Sequence, residues 1–561
     1  MALFKSKSRY VWAKSIFVCL SNCTATPILK RSLLSESTNR CVNSHSNKGR
    51  NFSTSQQYTD EAVRLASKFG YSKFECLLTT GGDDRSLILE SGANKYHIKP
   101  QPIQDSHIFR GSCTGNPPTR DGYEAAKRLY ESELKGLDGE ELESALRKVF
   151  QRQRSRLAKY LQLPQGSEVI LCPSGSDAEY LPIAIARAIQ PGKKLANGVT
   201  QLNEIGAGTA PASRGKYFSK YAPFLGDHGD MDYLDGFQEI DGLLIDAREK
   251  DGGVIDASLK MKQFTKDQLA LGNFPIVHGV FGGKTGVRDE VMPGSLEGGN
   301  LSLGVVDACQ GRFTLEELRE WLDQDSLVLF TSSKFYQAPP FCGAVIVPAS
   351  IADKLSGALP PKEMLTKTGL QGFITDKELP PCLESWKEHV QVPGQNNVGL
   401  ALRWEAGLSA MEAILPIPDT DRVALTEEWA NSVQEMVNGN DMLDVFCVER
   451  SIVSIRIRKQ SGGWLNMSEA RDLFRWMSLD ISPAVAASGD DDEKATLSTP
   501  AFIGQPVNVS ESHAIVRIAL GVESLLAYNA DKAKTLKEDE LTVRKLGAVA
   551  THFETLKKSR L

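Results

Sequence analysis

No CxxC pair occurs among the ten cysteines, and no apolar run approaches the length of a membrane span; the N-terminal patch Ile16–Leu20 is far too short. Seven cysteines (76, 113, 172, 309, 342, 382 and 447) are scattered through residues 53–561, which favours reduced, mostly buried thiols over a disulfide frame or a zinc site. A dinucleotide-binding GxGxxG after an early strand is also missing. Gly282-Gly283-Lys284-Thr285-Gly286 lacks the full Walker spacing and reads instead as a loop between strand and helix. At 41% hydrophobic and 24% charged residues, the chain is neither disordered nor fibrous.

Acid is scarce only at the start. Residues 1–52 hold nine Lys or Arg and one acid, Glu36, a balance of +8 that leaves −13 for residues 53–561 out of the total of −5. A basic, Ser-rich, acid-poor start reads as a transit peptide, mitochondrial with a plastid address as the alternative. Arg50-Asn51-Phe52-Ser53 has the look of a matrix-protease site. The acidic remainder argues against nucleic acid as a partner, because phosphate binding needs a basic surface.

What is present is a pattern of apolar strands alternating with helices between residues 168 and 347, the mark of a mostly parallel α/β sheet. Val305-Val306-Asp307 ends one strand in an acid, and Leu327–Thr331 ends the next just before Ser332-Ser333-Lys334. The two residues lie one βα unit apart, so both can face one cleft at the carboxyl edge of a sheet. Upstream, the strand Glu168–Cys172 runs into Ser174-Gly175-Ser176 and a helix, where free N–H groups suit a phosphate. The alternative for these serines is ordinary helix capping.

This constellation resembles the fold-type I pyridoxal-phosphate enzymes, nearest the class V aminotransferase and cysteine-desulfurase branch. The resemblance implies a large α/β domain with a mostly parallel central sheet and a smaller α+β C-terminal domain. It implies pyridoxal 5′-phosphate as cofactor, Lys334 as its Schiff-base lysine and Asp307 as the partner of its ring nitrogen. Ser174, Gly175, Ser176 and Ser332 would hold its phosphate, and Gln310 its phenolic oxygen. Val392-Pro393-Gly394-Gln395-Asn396-Asn397 resembles the segment that reaches the phosphate of a neighbouring subunit, with Gln395 in place of the usual Thr, and so implies a homodimer with shared sites. Val516-Arg517-Ile518-Ala519-Leu520-Gly521 resembles the strand whose arginine, here Arg517, grips a substrate carboxylate with its fork of donors.

The corresponding domain limits are a transit peptide (1–52), an N-terminal segment covering the active site (53–130), a large cofactor domain (131–395) and a small C-terminal domain (396–561). Asn94, Tyr96, Arg110 and Ser112 are substrate-contact candidates from the covering segment. In the loop 203–210 the chain departs from the family pattern, because no aromatic residue is there to stack on the ring; Glu204 and Thr209 are the polar candidates. His278, on an apolar strand, reads as a satisfied core histidine. Leu359–Pro381 reads as a link, and Ser488–Thr499 as an acidic mobile loop.

These residues imply an enzyme acting at Cα of an amino acid or related amine, with transamination first and lyase or decarboxylase chemistry as the alternative. Desulfuration is disfavoured, because Pro500–His513 holds no cysteine. A non-catalytic protein of the same fold is the remaining reading; it would have no need of Lys334.

Overall fold

The computed structural model describes residues 64, 67–228, 231–285, 289, 301–485 and 491–559. The expected transit peptide lies outside the described residues. In chain order the strands are β1 (Ile108–Arg110), β2 (Glu168–Cys172), β3 (Leu195–Val199), β4 (Tyr221–Ala222), β5 (Gly226–Asp227), β6 (Asp241–Leu244) and β7 (Phe274–Val280). There follow β8 (Leu303–Asp307), β9 (Leu327–Thr331), β10 (Gly343–Val347), β11 (Leu443–Glu449), β12 (Ile452–Ile457), β13 (Ala501–Asn508) and β14 (Ala514–Ala519).

Seven strands form the central sheet in the order β2-β10-β9-β8-β7-β3-β6. The pairs β9·β8, β8·β7, β7·β3 and β3·β6 are parallel, while β10 runs antiparallel to both β2 and β9. Successive side chains of a strand point to opposite faces, so a strand covered on both sides needs a continuous apolar run. Val306, Val328, Phe330, Ala344 and Ile346 enter one core with the helices Gly139–Tyr160 and Val398–Ile414. Val305, Leu327, Leu329, Val345 and Val347 enter another with the helix Tyr180–Ile189.

The smaller sheet has the order β1-β13-β14-β12-β11 and is antiparallel except for β1 against β13. Its strand β1 comes from the N-terminal segment, which is therefore stitched into the C-terminal sheet. The first core continues without a break from the large sheet into this one through Ile455, Val516 and Ile518.

Two expectations need correction. Leu359–Pro381 is not a loose link: Leu365, Leu370, Phe373, Ile374 and Leu379 are buried in the second core, held in short turns because the irregular apolar spacing suits neither helix nor strand. In the acidic stretch 488–499, Asp491–Ser498 is a helix, with three acids in its first turn where the helix dipole favours them and Leu497 buried as its anchor. Phe502–Val507, ahead of the strand of Arg517, forms the middle of β13.

Candidate active site

The carboxyl ends of β2, β3, β7, β8 and β9 open onto one cleft of about 520 Å³. Asp307 closes β8, and its Oδ1 accepts the N–H of Cys309 at 3.0 Å, which fixes the carboxylate at the strand end. Lys334 follows β9 by three residues and lines the same cleft. Its backbone is clamped: Asn116 Nδ2 donates to the carbonyls of Ser333 (2.6 Å) and Lys334 (3.0 Å), and the N–H of Gln337 donates to Lys334 O.

Ser174, Gly175 and Ser176 line the wall beyond β2. Ser174 also plays the capping role: its hydroxyl accepts the N–H groups of Ser176 (3.2 Å) and Asp177 (3.1 Å) and donates to Asp177 Oδ2 at 2.6 Å. Burial, and after it the nearby Asp83, push the Asp177 carboxyl up. The wall is built for close approach. A Cβ on Gly175 would lie 2.7 Å from Cys309 Sγ, and one on Gly208 would lie 2.8 Å from Ser176 Oγ.

Gln310 sits beside Asp307 and is held by Arg312, whose Nη1 donates to Gln310 Oε1 at 2.9 Å. Arg312 itself is buried among neutral acceptors, donating to Ser451 Oγ and Ser112 Oγ, and burial pushes its guanidinium down to about 10. From the small sheet, Arg517 on β14 is only 2% exposed. Its Nε and Nη2 donate to Gln505 O and its Nη2 to Thr114 Oγ1, while among the described residues Nη1 has no partner. Nη1 is thus an unspent donor on a side chain that lines the cleft.

Two expected cofactor contacts lie elsewhere in the single chain. Ser332 does not line the cleft; its hydroxyl meets Cys342 Sγ at 2.9 Å and faces the helix at Gly407. Strand alternation explains this, since Thr331 and Ser333 take the cleft side and Ser332 the other. Gln395 is also outside the lining: its side-chain Nε2 donates to Gln371 O at 3.0 Å, and its backbone carbonyl accepts from Lys377.

Of the four candidates from the covering segment, Tyr96 lines the cleft, and burial raises its phenol. Arg110 is instead ion-paired to Asp539 at 2.5 Å, Ser112 supports Arg312, and Asn94 ties its own turn through the N–H groups of Tyr96 and Ile98. Thr209 lines the cleft, whereas Glu204 is buried under it and accepts from Thr285. His278 is buried as expected; its Nδ1 lies 3.4 Å from Glu179 Oε2, outside strict hydrogen-bond geometry, and burial holds the imidazole down at about 3.

Sequence reading missed Arg85. It ion-pairs with Asp83 at 2.6 Å, donates to Ser174 Oγ at 3.2 Å, and lies over the ring of Phe341 at 4.4 Å. The signal was the run Gly81-Gly82-Asp83-Asp84-Arg85, two acids and an arginine directly after a glycine turn. Asn116 was also missed; it lies in the Gly- and Pro-containing stretch Gly115-Asn116-Pro117-Pro118.

No family model matches the chain, and no curated protein matches it. Solved structures do match in shape. The glutamate decarboxylase domain of diaminobutyrate-pyruvate transaminase and L-2,4-diaminobutyrate decarboxylase from Vibrio parahaemolyticus is 12% identical, with a TM-score of 0.50 over 90% of this chain and 97% of that one. A phosphoserine aminotransferase from Cytophaga hutchinsonii is 15% identical, with a TM-score of 0.44 over 78% of this chain and 99% of its own. Oryza sativa TDC, solved with PLP and tryptamine, is 13% identical, with a TM-score of 0.45 over 90% of each. At these identities a likeness speaks to the fold alone. The Vibrio match shows that fold: the α/β architecture of fold-type I pyridoxal-phosphate enzymes, a seven-stranded mostly parallel sheet with a smaller mixed C-terminal sheet.

Proposed function

We propose that this chain is a pyridoxal-phosphate-dependent enzyme that acts at the Cα of an amino acid or related amine, with transamination as its reaction. One observation carries the reading. Asp307 and Lys334, from neighbouring parallel strands, share a cleft with Arg517, a buried arginine that keeps an unpartnered N–H. A fold that only bound a partner would have no need to bury that set together.

The residues fit the cofactor. Ser176 and the small residues Gly206–Gly208 leave room for its phosphate, with Arg85 close by as the cation. Asp307 suits the ring nitrogen, and Gln310, fixed by Arg312, suits the phenolic oxygen. When bound, pyridoxal phosphate supplies a carbonyl for the substrate's amine and a ring that takes up the electron pair released at Cα. The chain does the rest. Arg517 holds the α-carboxylate, which sets the orientation of the bonds at Cα. Lys334 would move the α-proton as general base.

The test is the visible absorption of the full chain with added pyridoxal phosphate, before and after borohydride. The expected result is a visible band that borohydride removes and that Lys334→Ala lacks, followed by keto-acid formation with an amino-acid and oxo-acid panel. Carbon dioxide release in place of keto acid would replace transamination with decarboxylation. A chain that stays colourless would overturn the enzyme reading.

Two further parts of the proposal concern the whole protein. Residues 1–52 deliver it to the mitochondrial matrix, a reading supported by their +8 balance; fusion of these residues to a fluorescent reporter tests it, and a cytosolic or plastid reporter contradicts it. The enzyme works as a homodimer in which the Gln395 segment approaches the partner's site; light scattering of the full chain tests that, and a monomer with full activity contradicts it.

A further inference from the structure

Charge is unevenly spread around the cleft. Arg85, Lys95, Lys220, Lys284, Lys334 and Arg517 line it, against two acids, Asp84 and Asp307. Arg85 is neutralised by Asp83, Lys334 is assigned to the cofactor, and Arg517 is assigned to an α-carboxylate. Lys95 lies near the ring of Tyr96. Lys284 has no role in that scheme.

Lys284 follows the carboxyl end of β7. Its backbone N–H donates to Glu204 O at 3.0 Å, and its ammonium donates to the carbonyl of Ile205. An ammonium has three donors, and among the described residues this carbonyl is the one acceptor it meets. Glu204 does not complete it, because that carboxylate accepts the N–H and hydroxyl of Thr285 and lies 3.6 Å from Arg248 Nε. Lys284 also stands close enough to Arg517 and Lys334 to feel both as repulsion. Glu204 and Asp307 pull the other way, but Glu204 is engaged by Thr285 and Arg248, and Asp307 is one carboxylate among three cations; the α-carboxylate of a neutral amino acid answers only one more of them.

We infer that Lys284 binds a second anionic group, so that the cleft takes amino acids carrying a carboxylate or phosphate on the side chain. The inference rests on the amino-acid reading of the cleft and adds the substrate class to it. Arg517 takes the α-carboxylate, and Lys284, in the same lining, takes the distal group. The carboxylate and the phosphate share the chemistry that Lys284 recognises, and the test separates them.

The experiment uses unreactive anions, so it needs neither turnover nor an amine. Succinate, 3-phosphonopropionate and propionate are titrated by calorimetry into the full chain supplied with pyridoxal phosphate, and into Lys284→Met and Lys284→Arg. In the wild type at least one of the two dianions should bind about tenfold or more tighter than propionate, corresponding to about 1.4 kcal/mol; which dianion leads tells carboxylate from phosphate. Lys284→Met should close most of that gap while leaving propionate within about twofold, and Lys284→Arg should keep it. Wild-type protein that binds all three alike overturns the inference whatever the variants do. So does a Lys284→Met that keeps the gap, or one whose only effect is to release the cofactor. The visible band reports on the proposed function and the anion contrast on this inference, so the two can fail separately.

Discussion

Asp307 and Lys334 reach the cleft from the carboxyl ends of parallel strands, whereas Arg517 reaches it from the middle of an antiparallel strand. The difference is one of stiffness. Arg517 is flanked in register by Ser454 on β12 and Gly504 on β13, and its fork is pinned to Gln505 O, so its free donor points one way only. Lys334 lies on a turn held chiefly by Asn116 and by one bond from Gln337. The small sheet therefore supplies a fixed anchor and the large sheet a group that can move. That division suits a reaction in which the carboxylate stays put while the lysine leaves one carbon and takes a proton from another.

Replacing the mobile group should cost most. Lys334→Ala should lower kcat by about a thousandfold or more, since it removes both the cofactor link and the general base; steady-state kinetics on the best amino acid of the panel checks this, with circular dichroism confirming an intact fold. Removing the fixed anchor should act differently. Arg517→Lys keeps the charge and loses the fork, so KM should rise about 10- to 100-fold with a smaller change in kcat, as expected for a charged hydrogen bond worth about 1.5–3 kcal/mol. An Arg517→Lys effect confined to kcat would break the contrast.

Asn116 sharpens it. Asn116→Ala removes two donors from the lysine turn and should lower kcat about tenfold while leaving KM for the amino acid nearly unchanged, because the clamp positions Lys334 and does not touch substrate. Measuring both constants distinguishes this from general destabilisation, which would lower active enzyme without that split.

The smallest effect is one of pH. Burial first, then Arg517 and Lys334, push the Lys284 ammonium down to about 8, against the opposing pull of Glu204 and Asp307. Below that value Lys284 is charged and attracts a distal anion; as pH rises through about 8 it loses its proton, and the preference for dianions should fade. Monocarboxylate binding, which does not call on Lys284, should change far less across pH 7–9. Calorimetry at several pH values reads the two trends together.

Much of this site is legible in the sequence for a physical reason. Strands buried on both faces must be continuous apolar runs, so Leu303–Asp307 and Leu327–Thr331 announce themselves, and the polar residue that ends each one is marked by contrast. The Ser174–Ser176 turn is visible on the same grounds, between an apolar strand and an apolar helix. Arg85, Asn116 and the role of Lys284 are not visible, because they lie in loops with no period and their positions depend on partners 89, 217 and 79 residues away. Ser332 shows a finer limit. Its neighbourhood is evident from the strand, but which of three successive polar residues faces the cleft depends on where strand alternation carries past Thr331. Leu359–Pro381 shows another: irregular apolar spacing with prolines looks like a linker, yet Leu365, Leu370, Phe373 and Leu379 fill a core.

The central claim is that Lys334, and not another lysine of the cleft, forms the link to the cofactor. The direct measurement is to treat the full chain with pyridoxal phosphate and borohydride, digest it, and locate the pyridoxyl adduct by mass spectrometry. The account predicts one adduct per chain, on the peptide containing Lys334. An adduct on Lys284, or none on either lysine, would contradict it.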